Sequence, residues 1–167
     1  MTKTKSNPMK QFKKILIANR GEIALRIIRT CDSLGIASVA IYSDPDREMP
    51  FVQKASQSHH LPGAESRDTY LAIDKIVEVC KAYQVDAVHP GYGFLSENAD
   101  FAEALAKVGV TFIGPSPAAI RAMGSKSEAK AIAEKLKVPV IKGYRGEDQS
   151  LKHLRDEAEK IGYPILI

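Results

Sequence analysis

Short apolar runs alternate with amphipathic segments over the first two thirds of the chain. An apolar run that ends at a turn is typical of a buried strand, whereas apolar residues at helical spacing predict a helix with one packed face. The predicted strands lie at Ile15–Ala18, Ala37–Tyr42, Val85–Val88 and Val110–Ile113, with a less regular one around His59–Leu61. The helices between them carry the stripes Ala24/Ile27/Ile28/Cys31/Leu34, Ile73/Ile76/Val77/Cys80 and Phe101/Ala104/Leu105/Val108.

The alternation of strand and helix predicts an α/β fold, an open Rossmann-like parallel sheet with helices on both faces. In open parallel sheets, ligands bind beyond the carboxyl ends of the strands. The segments that follow the predicted strands are therefore the candidate binding loops. They are Asn19–Glu22, Ser43–Arg47, His89–Glu97 and Gly114–Pro117.

The pattern changes after Pro117. Helices are predicted at Ala118–Met123, Ser127–Lys137 and Leu151–Ile161, followed by the apolar residues Pro164–Ile167. Chain termini are usually polar and exposed, so an apolar end suggests a second domain that is cut off at Ile167. The pattern therefore predicts a disordered leader over residues 1–11 and a second domain that begins near residue 140.

Composition narrows the function classes. The 167 residues carry a formal charge of +4, but residues 1–14 hold five lysines and no acid, so the rest of the chain is nearly neutral. Tryptophan is absent, and no basic face with aromatic platforms is evident, which argues against nucleic-acid binding. No apolar run is long enough to span a membrane. Cys31 and Cys80 fit apolar helix stripes as free thiols, so we expect a cytoplasmic protein, or a mitochondrial one in a eukaryote.

Two strand-to-helix turns are candidates for binding chemistry. Asn19–Glu22 lacks the glycines of a dinucleotide fingerprint, and Glu22 fits either the positive end of a helix dipole or an ion pair with Arg26. The segment His89–Asn98 has two glycines around an aromatic residue, and Glu97 adds a carboxylate. It could bring the backbone close to a ligand, or it could be a rigid turn in which Ser96 or Asn98 caps the next helix.

Lys126 stands at the predicted start of a helix, where an ammonium group is unfavourable unless an anion is bound nearby. The surrounding Met123–Ser127 does not match a P-loop, so it gives only a hint of a phosphate ligand beside the alternative of a surface lysine. His59, His60 and His153 have no partners at metal-ligand spacing, and we assign them no site.

Five motifs together resemble the biotin carboxylases. They are KILIANRGEIA at 14–24, HPGYGFLSEN at 89–98, FIGP at 112–115, MGSK at 123–126 and IGYP at 161–164. The resemblance covers residues 12–167 and implies an N-terminal domain over residues 12–125, followed over 126–167 by linker helices and the truncated start of an ATP-grasp domain. That family uses ATP and Mg²⁺ to activate bicarbonate as carboxyphosphate, and then carboxylates the N1′ nitrogen of biotin carried on a partner domain.

The resemblance also implies roles for individual residues. Lys126 matches a lysine that contacts ATP phosphates. Tyr92 and Gly93, with Glu97, match the edge of the pocket for biotin and bicarbonate. Arg26 and Arg29 match helix positions at a homodimer interface, although this chain has a serine where relatives often carry an acid before Leu-Gly.

The segment 143–150 is most similar to the α subunits of acyl-CoA carboxylases such as those acting on 3-methylcrotonyl-CoA or propionyl-CoA, with acetyl-CoA and pyruvate carboxylases still open. The implied partners are a biotin carboxyl carrier domain and a carboxyltransferase component. The family's metal ligands and catalytic residues would lie beyond Ile167, so no catalytic or metal residue is predicted here, and the chain alone is expected to be inactive. Another ATP-grasp ligase and a non-catalytic interaction module are the alternatives, and HPGYGFLSEN argues against both.

Overall fold

The computed structural model describes residues 11–165, without the side chain of Lys126. Most of the predicted leader and the final two residues lie outside this range. Five parallel strands form one sheet in the order β3-β2-β1-β4-β5. Their bounds are β1 Lys14–Ile17, β2 Ala37–Tyr42, β3 Gln57–His60, β4 Ala87–His89 and β5 Thr111–Phe112.

Helices connect the strands and continue beyond them. Their bounds are α1 Gly21–Ser33, α2 Pro50–Lys54, α3 Ile73–Tyr83, α4 Ala99–Lys107, α5 Pro117–Gly124, α6 Lys126–Lys135 and α7 Leu151–Ile161. Short 3₁₀ turns lie at Asp44–Asp46 and Ser66–Asp68. In residues 11–165, no helix combines the length and the apolar character that crossing a membrane requires.

The sheet is covered on both faces, as the sequence predicts. Alternate residues of a strand point to opposite faces, so Ile15 and Ile17 pack against α1 and α2, while Leu16 packs against α3 and α4. Phe51 of α2 and Phe101 of α4 are among the largest buried side chains of the two layers. The α/β prediction is therefore confirmed.

One local prediction is wrong, and one short helix is not predicted. Leu34 was assigned to the buried stripe of α1, but the helix ends at Ser33 and Leu34 is 66% exposed. The chain turns away at Gly35, whose φ of +66° suits glycine, so the next position on the stripe never reaches the sheet. The short helix α2 has no predicted counterpart, because five residues are too few to show a helical period.

The sheet order creates a switch point beside β1. From β1 the chain builds outward through β2 and β3, and then returns to add β4 on the other side of β1. The loops that follow β1 and β4 therefore lead to helices on opposite faces of the sheet, α1 on one face and α4 on the other. Switch points of this kind are where open α/β sheets bind their ligands.

The described part of the chain divides into two compact units, with the division between Ile120 and Arg121. In the second unit, Arg145 pairs with Glu134, and the rings of Tyr144 and His153 meet edge to face at 4.9 Å. Several of its apolar side chains are exposed; they include Met123, Leu136, Val138, Ile141 and Leu151. The predicted domain boundary at residues 125 and 126 stays a prediction.

Candidate functional site

Asn19 joins the two loops of the switch point. It follows β1, is 3% exposed, and donates through Nδ2 to the carbonyl oxygens of Pro90 and Tyr92, both at 2.8 Å. Its Oδ1 accepts from the Arg20 amide at 2.9 Å, which fixes the orientation of the side-chain amide. One buried side chain thus holds the loop after β4 against the loop after β1.

Gly91 is required by this contact. A Cβ atom on Gly91 would lie 2.7 Å from Asn19 Nδ2, and the φ of +65° is itself a conformation that favours glycine. The Gly91 amide donates to Nδ1 of His89 at 3.0 Å, so this nitrogen acts as an acceptor. Burial lowers the pKa of His89, in agreement with a neutral ring that shapes the turn.

A buried carboxylate lies behind the loop after β1. Asp46 is 1% exposed and forms a two-point ion pair with the Arg20 guanidinium, in which Nε lies 2.7 Å from Oδ2. The same oxygen accepts from Tyr70 Oη at 2.6 Å and from Ser43 Oγ at 3.0 Å. The ring of Tyr70 stacks on Phe94 with centroids 5.2 Å apart.

The network shifts the titration of its members. Burial opposes ionisation of Asp46, but hydrogen bonds from Arg20, Tyr70 and Ser43 outweigh it and hold the pKa of the carboxyl below its usual range. Burial and the hydrogen bond to Asp46 raise the pKa of Tyr70 to about 12. Asp46 is therefore ionised and Tyr70 neutral at ordinary pH.

This shift gives a testable pH dependence of stability. A phenol whose pKa is raised from about 10 to about 12 stabilises the fold fully below pH 10, and this contribution is lost as the pH rises through 12. The free energy of unfolding of the wild type should fall between about pH 9.5 and 11.5. In Tyr70→Phe this fall should be smaller by roughly 1–2 kcal/mol. Burial also raises the pKa of the Cys80 thiol to about 12, so part of the loss should remain.

Urea unfolding at the two pH values measures this difference. Tyr163→Phe, at a ring that is 71% exposed, is the matched control and should keep the full alkaline loss. An unchanged pH dependence in Tyr70→Phe would contradict the assignment.

Tyr92 and Glu97, two residues of the predicted pocket edge, stand on the outer side of the loop after β4. Tyr92 is 60% exposed, and its hydroxyl donates to Glu22 Oε1 at 2.5 Å. This hydrogen bond raises the pKa of Tyr92, which stays protonated as a donor. Gly93, with a φ of +68°, and Glu97 are both exposed on the same loop. The loop thus presents the phenol of Tyr92 and the carboxylate of Glu97 to solvent, with Glu22 of α1 beside the phenol.

The helix after this loop begins with a capping residue, as one of the two interpretations of the sequence predicts. Asn98, and not Ser96, is the N-cap of α4, and its Oδ1 accepts from the Phe101 amide at 2.8 Å. The capping role and the ligand-facing role are therefore compatible, because Asn98 anchors one end of the segment while Tyr92, Gly93 and Glu97 remain exposed.

The other predicted residues lie on separate elements. Arg26 and Arg29 are exposed on α1, on the side away from its buried residues. Lys126 is the first residue of α6, and Ser125 caps that helix by accepting from the Glu128 amide at 3.3 Å. Within residues 11–165, no group of three His, Cys, Asp or Glu side chains is placed to hold a metal ion.

The sequence predicts the loops after β1 and β4 as candidate binding loops, but it does not predict the residues that organise them. Asp46 lay in the segment Ser43–Arg47, which was chosen only for its place after a strand. Tyr70 carried no signal, because it follows a 3₁₀ turn and is brought to Asp46 by the fold alone. The available clue was that Asn19 follows β1 and that Asp46 follows the neighbouring strand β2.

Comparison with known proteins gives one family for most of the chain. A family model described as the N-terminal domain of biotin carboxylase matches residues 11–120. The α subunit of mitochondrial methylcrotonoyl-CoA carboxylase from Dictyostelium discoideum is 52% identical over 95% of this chain, which covers 23% of that protein. Biotin carboxylase 1 from Bacillus subtilis is 48% identical over 93% of this chain, which covers 35% of that protein.

A solved structure shows the same fold. The biotin carboxylase domain dimer of the 2-oxoglutarate carboxylase of Hydrogenobacter thermophilus, in complex with MgADP, ADP and bicarbonate, superposes with a TM-score of 0.86. It is 41% identical to this chain, and the match covers 93% of this chain and 34% of that one. The chain thus spans about a quarter to a third of the proteins it matches.

Proposed function

Because the chain belongs to the family of biotin carboxylase N-terminal domains, we propose that it forms the first part of an ATP- and bicarbonate-dependent ligase that carboxylates biotin. The single observation that carries this proposal is the family match over residues 11–120, which contains both loops of the switch point. We further propose an acyl-CoA carboxylase as the parent enzyme, since its α subunits are among the chain's relatives at about half identity. The biotin would be carried on a separate carrier domain, and a carboxyltransferase component would choose the acceptor.

The described residues fit two parts of such an enzyme, one within each unit of the chain. Tyr92, Gly93 and Glu97 would form the edge of the pocket for biotin and bicarbonate, held in place by Asn19. An anion at the start of α6 would interact favourably with the helix N-terminus and with Lys126, which suits an ATP phosphate. The described residues offer no cluster for Mg²⁺, so we assign this chain no metal-dependent step.

The location of the parent enzyme is also a proposal. The relative from Dictyostelium is named as mitochondrial, and the bacterial relatives have no such compartment. We propose the cytoplasm for a bacterial parent and the mitochondrial matrix for a eukaryotic one. Fractionation of source cells with an antibody to this chain would test the assignment.

The activity is tested in a full-length protein that carries this chain. We expect ADP release that requires bicarbonate and is stimulated by free biotin, because the loop after β4 would supply the edge of the acceptor pocket. The 167-residue chain alone should release no ADP above background. ADP release that depends on bicarbonate but not on biotin would indicate another ATP-grasp ligase, and no ADP release from the full-length protein would favour an interaction module.

A homodimer is proposed from the dimeric relative and from the exposed arginines of α1. Arg26 and Arg29 are three residues apart, so they share one helix face. If that face contacts acidic groups of a second copy, reversing both charges would place negative groups opposite each other across the interface. We expect Arg26→Glu with Arg29→Glu to raise the dimer dissociation constant of the full-length protein at least about tenfold.

Sedimentation velocity over a concentration series measures this shift, and circular dichroism checks that the fold is kept. Lys81→Glu with Lys107→Glu is the control, since these exposed lysines lie on α3 and α4, on the opposite face of the sheet. An equal effect of the two double variants would show that overall charge, and not this face, governs association.

A further inference from the structure

We propose that Asp46 is a positioning residue, which holds the loop 90–97 in the shape that the biotin and bicarbonate pocket requires. The proposal deepens the function proposed above and rests on it for the identity of the pocket. Asp46 itself is buried behind the loop after β1. Its influence must therefore pass through the residues that it binds.

The first route runs through Arg20 and Asn19. The two-point ion pair fixes the Arg20 guanidinium, with Nε at 2.7 Å from Asp46 Oδ2. The Arg20 amide donates to Oδ1 of Asn19, which leaves Nδ2 of Asn19 to hold the carbonyls of Pro90 and Tyr92. Such two-point guanidinium–carboxylate pairs fix geometry as well as charge.

The second route runs through Tyr70 and Phe94. The hydroxyl of Tyr70 donates to Asp46 at 2.6 Å and accepts from the Ser43 amide at 3.0 Å, so its ring is held in one orientation. That ring stacks on Phe94 at an interplanar angle of 23°. Phe94 has a φ of +40°, a left-handed conformation that a phenylalanine keeps only where its surroundings hold it.

The two routes reach the same loop at different points. Asn19 holds its first half by the backbone, and Tyr70 holds its second half by the Phe94 ring. Tyr92 is held at its own carbonyl by Asn19, Gly93 lies between the two anchors, and Glu97 follows them. The hydrogen bonds from Arg20 and Tyr70 keep Asp46 ionised. The same two hydrogen bonds connect both anchors, Asn19 and the Tyr70 ring, to one carboxylate.

Hydrogen exchange on this chain tests the positioning directly. The reporters are the amides of Gly91, Ser96 and Asn98, which donate to His89 Nδ1, Gly93 O and Leu95 O. The reference is the Ala37 amide, which donates to Lys13 O at the far end of the sheet. In Asp46→Asn, the reporters should exchange roughly ten- to hundredfold faster relative to Ala37, since a charged partner of the anchors is lost.

Steady-state kinetics of the full-length protein test the consequence for the pocket. Asp46→Asn should raise the KM for free biotin about tenfold and leave the KM for ATP within about twofold, because the proposed ATP contact lies on α6. Asp44→Asn is the matched control. That carboxylate is exposed and binds His60 and the Gly63 amide, with no tie to the loop 90–97, so both measurements should stay at the wild-type value.

A second variant covers the case in which Asp46→Asn does not fold. Tyr70→Phe removes the hydroxyl that reaches Asp46 but keeps the ring on Phe94, so it should produce the same pattern with a smaller change, about threefold to tenfold.

Reporter amides that keep their wild-type exchange relative to Ala37 in either variant would overturn the proposal. So would an equal rise in both KM values, because Asp46 would then support the fold as a whole. A full-length protein without biotin-stimulated activity would refute the proposed function separately, and the exchange measurement on this chain would still decide whether Asp46 positions the loop.

Discussion

Replacement of Asn19 by alanine is expected to lower the free energy of unfolding of this chain by roughly 2–4 kcal/mol. The side chain is 3% exposed and donates to two carbonyl oxygens of the neighbouring loop. Alanine cannot replace these donors, so the carbonyls of Pro90 and Tyr92 would lose their partner in a buried setting. Each buried polar group left unsatisfied costs about 1–3 kcal/mol. Urea unfolding at neutral pH measures the change.

Asn98→Ala is the matched control for this substitution. Asn98 makes one capping bond to the Phe101 amide, and the loss of an N-cap costs typically about 1 kcal/mol. The same chemical change should therefore cost clearly less at the start of α4 than at the switch point. If the two variants lose equal stability, Asn19 is not the joint between the loops.

A double-variant cycle tests whether Gly91 is required because of Asn19. In the wild type, Gly91→Ala would bring a Cβ to 2.7 Å from Asn19 Nδ2. In an Asn19→Ala background that atom is gone, so Gly91→Ala should cost less there. The remaining cost should reflect the positive φ, which costs about 1–2 kcal/mol, and the contact of the Cβ with Ile23 Cγ1 at 3.2 Å. Additive costs would show that the conformation of Gly91 alone excludes a side chain.

The order of strands and helices could be predicted because the hydrophobic pattern records burial directly. The strand Ala37–Tyr42 is apolar on both faces, since each face is covered by helices, and its predicted and observed bounds coincide. Predictions of buried positions fail where the helix ends and burial no longer follows the helical spacing. Leu34 continues the stripe of α1 by spacing, but the helix stops before it.

The candidate site was predictable in its location and not in its construction. Parallel strands bring their carboxyl ends to one edge of a sheet, so the turns at Asn19 and His89 are expected at that edge. Their direct contact depends on β1 and β4 being neighbours, which the hydrophobic pattern does not predict. The partners of a buried carboxylate depend on where distant segments meet. Tyr70 is 24 residues from Asp46 along the chain, and neither the composition nor the spacing of the sequence indicates that they touch.

The largest expected effect on activity concerns Lys126. Its backbone lies at the first position of α6, where the helix dipole disfavours a positively charged residue. Without an anion nearby, this placement costs about 0.3–1 kcal/mol. A bound phosphate reverses the sign, because the anion interacts favourably with the helix N-terminus and with the ammonium.

Lys126→Ala is therefore expected to act in opposite directions on stability and on activity. The stability of this chain should stay unchanged or rise slightly. In a full-length protein that carries the chain, the loss of one charged contact of about 1.5–3 kcal/mol should weaken ATP binding roughly ten- to two-hundredfold. Steady-state kinetics with ATP varied at saturating biotin and bicarbonate measure the loss.

Lys135→Ala separates this effect from a general loss of positive charge. Lys135 is the last residue of the same helix, where a cation interacts favourably with the dipole. Its replacement should slightly lower stability and leave the KM for ATP unchanged, the reverse of the pattern expected at Lys126. An unchanged KM and kcat/KM for ATP in Lys126→Ala would identify Lys126 as a surface lysine, since a residue that binds the phosphates cannot be removed without weakening ATP binding.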